Sequence, residues 1–305
     1  MSGRVGSLAL VLLVVAVLGV GAGAVLALSS GDDDPARAAV PAATSGGTAA
    51  ASPREEAPRA GSATPATSTR ATGGTGATTT AGDLAGRTVV IDPGHNGANG
   101  SHPTEINRLV DAGNGRKACN TTGTESNGGL AESRLNWLLA QHVRRALVAR
   151  GAHVVLTRRG DDGVGPCVDR RARIANAANA DAAVSIHGDG GPPGGRGFHV
   201  ILPGAVPQVA GHSRIVATSA RLGRAVRGAY RSGAGMPYST YLGSAGLDVR
   251  TDLGGLNLLT VPGVMIETGN MRNATDAALM ADSAWRRRAG RAIATGIGRY
   301  LRAVR

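Results

Sequence analysis

Three short apolar runs in this chain each stop on a side chain able to do chemistry. Thr88 to His95 reads TVVIDPGH, Ala182 to His187 reads AAVSIH, and Val264 to Glu267 reads VMIE. Aliphatic, β-branched runs bounded by turn signals read as buried strands, and Pro93 with Gly94 breaks the first one abruptly. Each strand would then deliver His95, His187 or Glu267 to its carboxyl end. In open α/β sheets the loops leaving that edge form a ligand crevice. One histidine at a strand end is commonly just a hydrogen-bonded loop residue, so the weight rests on what joins it.

Helical patterns lie between the runs. Within Leu130 to Gly151, LAESRLNWLLAQHVRRALVARG, the residues Leu135, Leu139, Val143, Ala146 and Leu147 recur at helical spacing. Glu132 stands three residues before Leu135, on the same stripe. An acid in a first helical turn commonly faces solvent, favoured by the helix dipole, but the stripe turns this one inward. A strand over His153 to Thr157, a helix near Asp169 to Ala180 and a strand over Gly197 to Leu202 follow. A helix over Arg214 to Tyr230, a shorter one over Leu253 to Leu259 and an amphipathic helix over Asp282 to Val304 complete the pattern. Strands alternating with helices predict an α/β fold: a mixed, mostly parallel central sheet with helices on both faces. The candidate site would lie at the carboxyl ends of its strands.

His95, Glu132 and His187 supply nitrogen, oxygen and nitrogen donors, the set with which catalytic zinc keeps a fourth position open. Glu267, not a ligand, would then be the general base for the water at that position. The opposing reading is four unrelated polar strand ends. Asp92 would either orient His95 as a hydrogen-bond acceptor or cap its own turn. Asn96 to Gly129 is polar, Gly-rich and too long for an ordinary connection, which points to a functional flap or disorder. His102 lies within it, and a mobile loop holds a ligand poorly. His142 borders the helical stripe, His153 and His199 belong to strands, and His212 precedes a helix. None of these is expected to have an acid partner at a strand end.

Leu8 to Leu28 has no charged or strongly polar side chain and is long enough to span a membrane. Arg4 before it and Asp32 to Asp34 after it would place the rest of the chain outside the membrane. Ala22 and Ala24 also fit a cleaved signal peptide, so residues 1–28 are an anchor or a signal, and the body is exported either way. Residues 29–82 are rich in Ala, Thr, Ser, Gly and Pro without apolar periodicity and read as a disordered linker. Residues 83–305 then form one catalytic domain, expected to be a monomer. The net charge of +12 is almost wholly arginine, since Lys117 is the only lysine. Arginines spread along the chain and an aromatic content of 2% argue against nucleic acid as partner, whereas an anionic cell wall would be attracted. Cys119 and Cys167 are the only cysteines, and an even count in an exported chain predicts a disulfide between them.

VVIDPGH, AESRLN, the LTR ending at Arg158, RARIANAANADAAVSIH and VMIETGNMRN occur in that order, and together resemble the zinc-dependent N-acetylmuramoyl-L-alanine amidases of the type 3 family. The resemblance covers about Arg87 to Leu301 and places this chain with compact extracytoplasmic forms that lack wall-binding repeats. It implies a peptidoglycan hydrolase that cuts the amide between the lactyl group of N-acetylmuramic acid and L-alanine. It also implies zinc on His95, Glu132 and His187, with Glu267 as the catalytic glutamate. Another envelope zinc hydrolase, a carboxypeptidase or deacetylase, would use the same donors. A non-enzymatic envelope-binding protein would more readily have lost one of them.

Overall fold

The computed structural model describes residues 82–304. The readings for residues 1–28 and, but for Gly82, for residues 29–82 lie outside it. Among the described residues no helix is long and apolar enough to cross a membrane.

The predicted strands form. They are β1 (Thr88–Pro93), β4 (His153–Leu156), β5 (Ala182–Asp189), β6 (His199–Pro203) and β8 (Gly263–Asn270). β5 and β8 run two or three residues past their apolar runs, whereas β4 and β6 are slightly shorter than expected. A short strand unmarked in the sequence, β7 (Leu247–Arg250), completes a six-stranded sheet of order β4-β1-β5-β8-β6-β7. All neighbouring pairs are parallel except β6 with β8. The sheet is therefore mixed and mostly parallel, as the alternation of elements implied.

Helices cover both faces. On one side α2 (Glu132–Val148), α4 (His212–Ala234) and α7 (Ser283–Ala303) pack on Val89, Ile91, Val184, Ile186 and their neighbours. On the other, α3 (Val168–Ala177) and α5 (Gly254–Asn257) cover a smaller cluster around Val90, Ala183, Ile201 and Met265. The amphipathic stripe of α2 buries Leu135, Leu139, Val143 and Leu147, and Glu132 is buried at its first turn. Burying such aliphatic side chains stabilises by about 1.5–3 kcal/mol each relative to exposure. A further helix, α6 (Ala274–Ala281), is capped by Asn273, whose side chain accepts from the backbone of Thr275 and Asp276.

The long insertion after His95 is ordered. It holds a short helix α1 (Pro103–Asn107) and a hairpin of β2 (Leu109–Asp111) with β3 (Arg116–Ala118). Cys119, just after the hairpin, is bonded to Cys167, the residue that precedes α3. Closing a loop of that length contributes about 4 kcal/mol in a chain-entropy account. The disulfide and the hairpin's contacts hold the insertion against the sheet edge, where it reaches the functional residues.

Candidate metal centre

At the carboxyl edge of the sheet the predicted residues converge. His95 follows β1 with φ of 58°, in the left-handed region that few non-glycine residues adopt. Two buried arginines hold the backbone there. Arg171 donates to the carbonyls of Pro93 and His95, each at 2.7 Å, and forms an ion pair of 2.6 Å with Asp92. Arg158 donates to the carbonyls of Pro93 at 3.0 Å and of Ser133 at 2.7 Å, which ties the turn bearing His95 to the first turn of α2. Gly94 has no room for a side chain, because a Cβ there would overlap the His187 ring.

Glu132 lies between the two imidazoles. Its Oε1 is 3.1 Å from Nε2 of His95 and 2.9 Å from Nδ1 of His187. The side chains are 11%, 6% and 14% exposed for His95, Glu132 and His187, so the group is shielded yet reachable. These three are a cluster able to hold a metal ion. A tetrahedral centre with bonds of 2.0–2.1 Å has edges of roughly 3.3 Å, so the spacing suits a single small cation. Around them, Nδ1 of His95 lies 3.0 Å from the carbonyl of Thr121, which favours a proton on Nδ1 and a free Nε2. Oε2 of Glu132 accepts from the backbone of Thr124 at 2.9 Å, and Asn136 donates to its Oε1 at 3.2 Å.

Charge at the site follows from this packing. Burial pushes the Glu132 carboxyl up, but the imidazoles of His95 and His187 overrule it and hold the group well below the usual carboxylate range. Burial lowers His95, and the Glu132 carboxylate more than reverses that. Glu267 goes the other way. Burial, and then the like charges of Glu132 and Asp189, push it well above the ordinary value, with Arg250 opposing. Its Oε2 is buried and accepts no hydrogen bond among the described residues. Glu267 is the register partner of His187 in the β5–β8 pair, so both side chains leave the same face of the sheet. A cavity of about 520 Å³ runs from these residues past Thr121 and Lys117 of the insertion to Asp252 and Leu253.

Some expectations change. Asp92 neither orients His95 nor caps its turn. It accepts from Arg171, Thr157 and Ser185, while Thr121 of the insertion takes the place beside His95. His199 does have an acid opposite it, because β6 runs antiparallel to β8 and sets it in register with Glu267. Sequence spacing shows no such pairing. His102 stays away from the cluster, with its ring against Ala98 and Ser101. Thr121, Thr124, Arg158 and Arg171 were not singled out. The two arginines sit in the LTR and RARIAN segments, but nothing in a lone arginine announces that it will be buried against backbone carbonyls.

A layered α/β domain that brings two imidazoles, a carboxylate and a second free carboxylate together at its sheet edge is a metallohydrolase. The chain belongs to the N-acetylmuramoyl-L-alanine amidase family Amidase_3, whose model matches residues 89–299. It is 40% identical over 226 residues to the N-acetylmuramoyl-L-alanine amidase Rv3717 of Mycobacterium tuberculosis, spanning 74% of this chain and 90% of that one. Among solved structures it is similar to the amidase Ami1 of Mycobacterium smegmatis, with 41% identity and a TM-score of 0.67 over 72% of this chain and 99% of that one. The Ami1 amidase of Mycobacterium abscessus gives 43% identity and a TM-score of 0.65, over 72% and 100%. The chain is thus an N-acetylmuramoyl-L-alanine amidase acting on peptidoglycan. With the Cys119–Cys167 disulfide, that activity places the folded part outside the cytoplasm.

Proposed function

We propose that zinc is the metal, held by Nε2 of His95, a carboxylate oxygen of Glu132 and Nδ1 of His187, and that Glu267 is the general base. The donor chemistry fits: two neutral imidazoles and one carboxylate, with a fourth position left for water or substrate. When bound, zinc supplies a Lewis acid that polarises the scissile carbonyl and makes water a better nucleophile. Thr121, through its carbonyl, orients His95, and Thr124 with Asn136 orients Glu132. Glu267 removes a proton from the attacking water at Oε2 as the water oxygen bonds to the lactyl carbonyl carbon. It then passes that proton to the alanine nitrogen as the C–N bond breaks, leaving a lactyl carboxylic acid and an amine, and the second water proton moves from the acid to the amine to give a carboxylate and an ammonium group. The cavity running under the insertion is the natural path for the stem peptide.

The observation that carries this reading is the pairing of His187 with Glu267 across β5 and β8, with an unpartnered carboxylate oxygen beside the donor cluster. We further propose that residues 83–305 are a monomeric catalytic domain in a bacterial cell envelope. The segment 29–82 would tether it to the apolar run in residues 1–28. Mass spectrometry of muropeptides digested by the purified domain, with and without a chelator, tests the reaction. Release of intact stem peptide from the sugar, abolished by the chelator and restored by zinc, is expected. Cleavage inside the stem, or activity indifferent to chelation, overturns it.

A further inference from the structure

Arginines that are spread along the sequence are gathered by folding. Helices α2, α4 and α7, side by side on one face of the sheet, contain fourteen arginines and a single acid, Glu132, which is turned into the donor cluster. The other described residues hold thirteen Lys and Arg against fifteen Asp and Glu. The whole positive excess of the domain therefore belongs to one layer. Twelve of its fourteen arginines are exposed.

α7 packs against both α2 and α4, so its arginines lie between theirs. Its outward stripe is Arg287, Arg288, Arg291, Thr295, Arg299 and Arg302, spaced as neighbours on one helical face. Beside it α4 approaches closely enough that a Cβ on Gly233 would crowd Ala292. A shallow groove of about 380 Å³ is left there, walled by Arg288, Arg291 and Arg299 with hydroxyls from Ser232 and Thr295. Among the described residues none of these three arginines is in an ion pair, in contrast to Arg302, which meets Asp83. The field is felt at His142, which burial and then Arg145, Arg286, Arg287 and Arg291 push down.

Self-repulsion of this kind destabilises a compact domain, and a counter-charge from outside removes it. Guanidinium groups grip phosphate through paired N–H donors and are weakly hydrated, so a phosphate surface suits them better than it suits lysine. The layer is not the substrate groove, since the cavity at the donor cluster is lined by strand residues, α3, α5 and the insertion, and Glu132 is the one residue of the three helices among them. Broad and nearly acid-free, it matches an extended anionic surface. The apolar run from Leu8 to Leu28 supplies the reason for choosing lipid. On the tether proposed for residues 29–82 the domain would stay within reach of the bilayer, since a flexible linker of that length spans roughly 40 Å.

We infer that the arginine layer of α2, α4 and α7 docks the domain on anionic phospholipid at the outer face of the cytoplasmic membrane. This rests on the export and tether proposed above, and not on the identity of the metal or base. Docked so, the domain turns its other side, with α3 and α5, towards the wall.

The test uses residues 82–305, which contain the whole family match at 89–299 and have about the length of the 72% of this chain that covers 99% and 100% of the two solved Ami1 chains. Sedimentation with phosphatidylcholine vesicles, with and without phosphatidylglycerol, is compared for the wild type and the Arg288→Gln/Arg291→Gln/Arg299→Gln variant. At about 0.15 M salt the wild type is expected to bind the anionic vesicles on the order of tenfold or more tighter than the neutral ones. The variant should lose most of that preference while keeping its thermal midpoint and its turnover on a soluble muramyl peptide. Three outcomes overturn the inference: equal binding to both vesicle types, an unchanged preference in the variant, or binding to a phosphate-rich wall polymer or DNA with none to vesicles. Because turnover is read separately, an inactive but vesicle-binding domain would reject the catalytic reading and leave the docking face standing.

Discussion

Glu267 and His187 stand level with one another on adjacent parallel strands, β8 and β5, so the carboxylate proposed as base and an imidazole proposed as metal donor share one face of the sheet. This register sets Glu267 beside the cluster of His95, Glu132 and His187. Glu267→Gln preserves shape but cannot take a proton from water. Turnover on peptidoglycan should fall by about 10²–10⁴-fold, with zinc content and thermal midpoint unchanged. Near-normal turnover would reject the role as base, and loss of zinc would mean that Glu267 is a ligand.

Zinc content should be about one per chain and should collapse in His95→Ala and in His187→Ala, since two donors hold zinc far more weakly than three. Metal analysis after gel filtration reads this directly. Full retention in both variants would remove these residues from the metal site.

Arg171 touches no donor atom, yet it holds the carbonyls on either side of the strained turn at His95. Arg171→Lys keeps the charge and loses the fork that reaches both carbonyls. Zinc affinity, measured by chelator competition, should drop by about 10–100-fold, as is typical when a ligand's supporting contacts are removed. If affinity stayed at the wild-type value, the turn at His95 would be held by the remaining contacts alone.

Acid should weaken the domain through Asp92. Burial pushes its carboxyl up, but the Arg171 guanidinium and the hydroxyls of Ser185 and Thr157 pull it down to about 2. A folded value below the ordinary carboxylate value gives stability that is present above about pH 4 and is lost as pH falls towards 2. The amount is on the order of 2 kcal/mol. In denaturant unfolding of the metal-free protein, the gap between wild type and Asp92→Asn should narrow over that window. A gap that is constant with pH would show that the charge on Asp92 contributes nothing.

The order of strands and helices was legible because each buried strand is a continuous aliphatic run and α2 has a clean helical stripe. Side chains that end those runs had to meet at one edge once the sheet was mostly parallel, and His95, His187 and Glu267 do meet there. Glu132 was legible from its place on the stripe. What stayed hidden depends on contacts between distant segments. β7 is four residues with one outward valine and no alternation, and the antiparallel turn of β6 that sets His199 opposite Glu267 leaves no local mark. Thr121 acts through its backbone carbonyl, for which residue type says nothing. Asp92 was misread because its partner, Arg171, lies far along the chain on α3.

The bond between Cys119 and Cys167 encloses all of α2 and β4 in one covalent ring. The turn that closes this ring exposes Arg159, Asp162 and Val164. A cut there separates the backbone bearing His95 and Glu132 from the backbone bearing His187 and Glu267, but the two halves stay one molecule. A backbone cut in that turn therefore releases neither half of the donor cluster from the other.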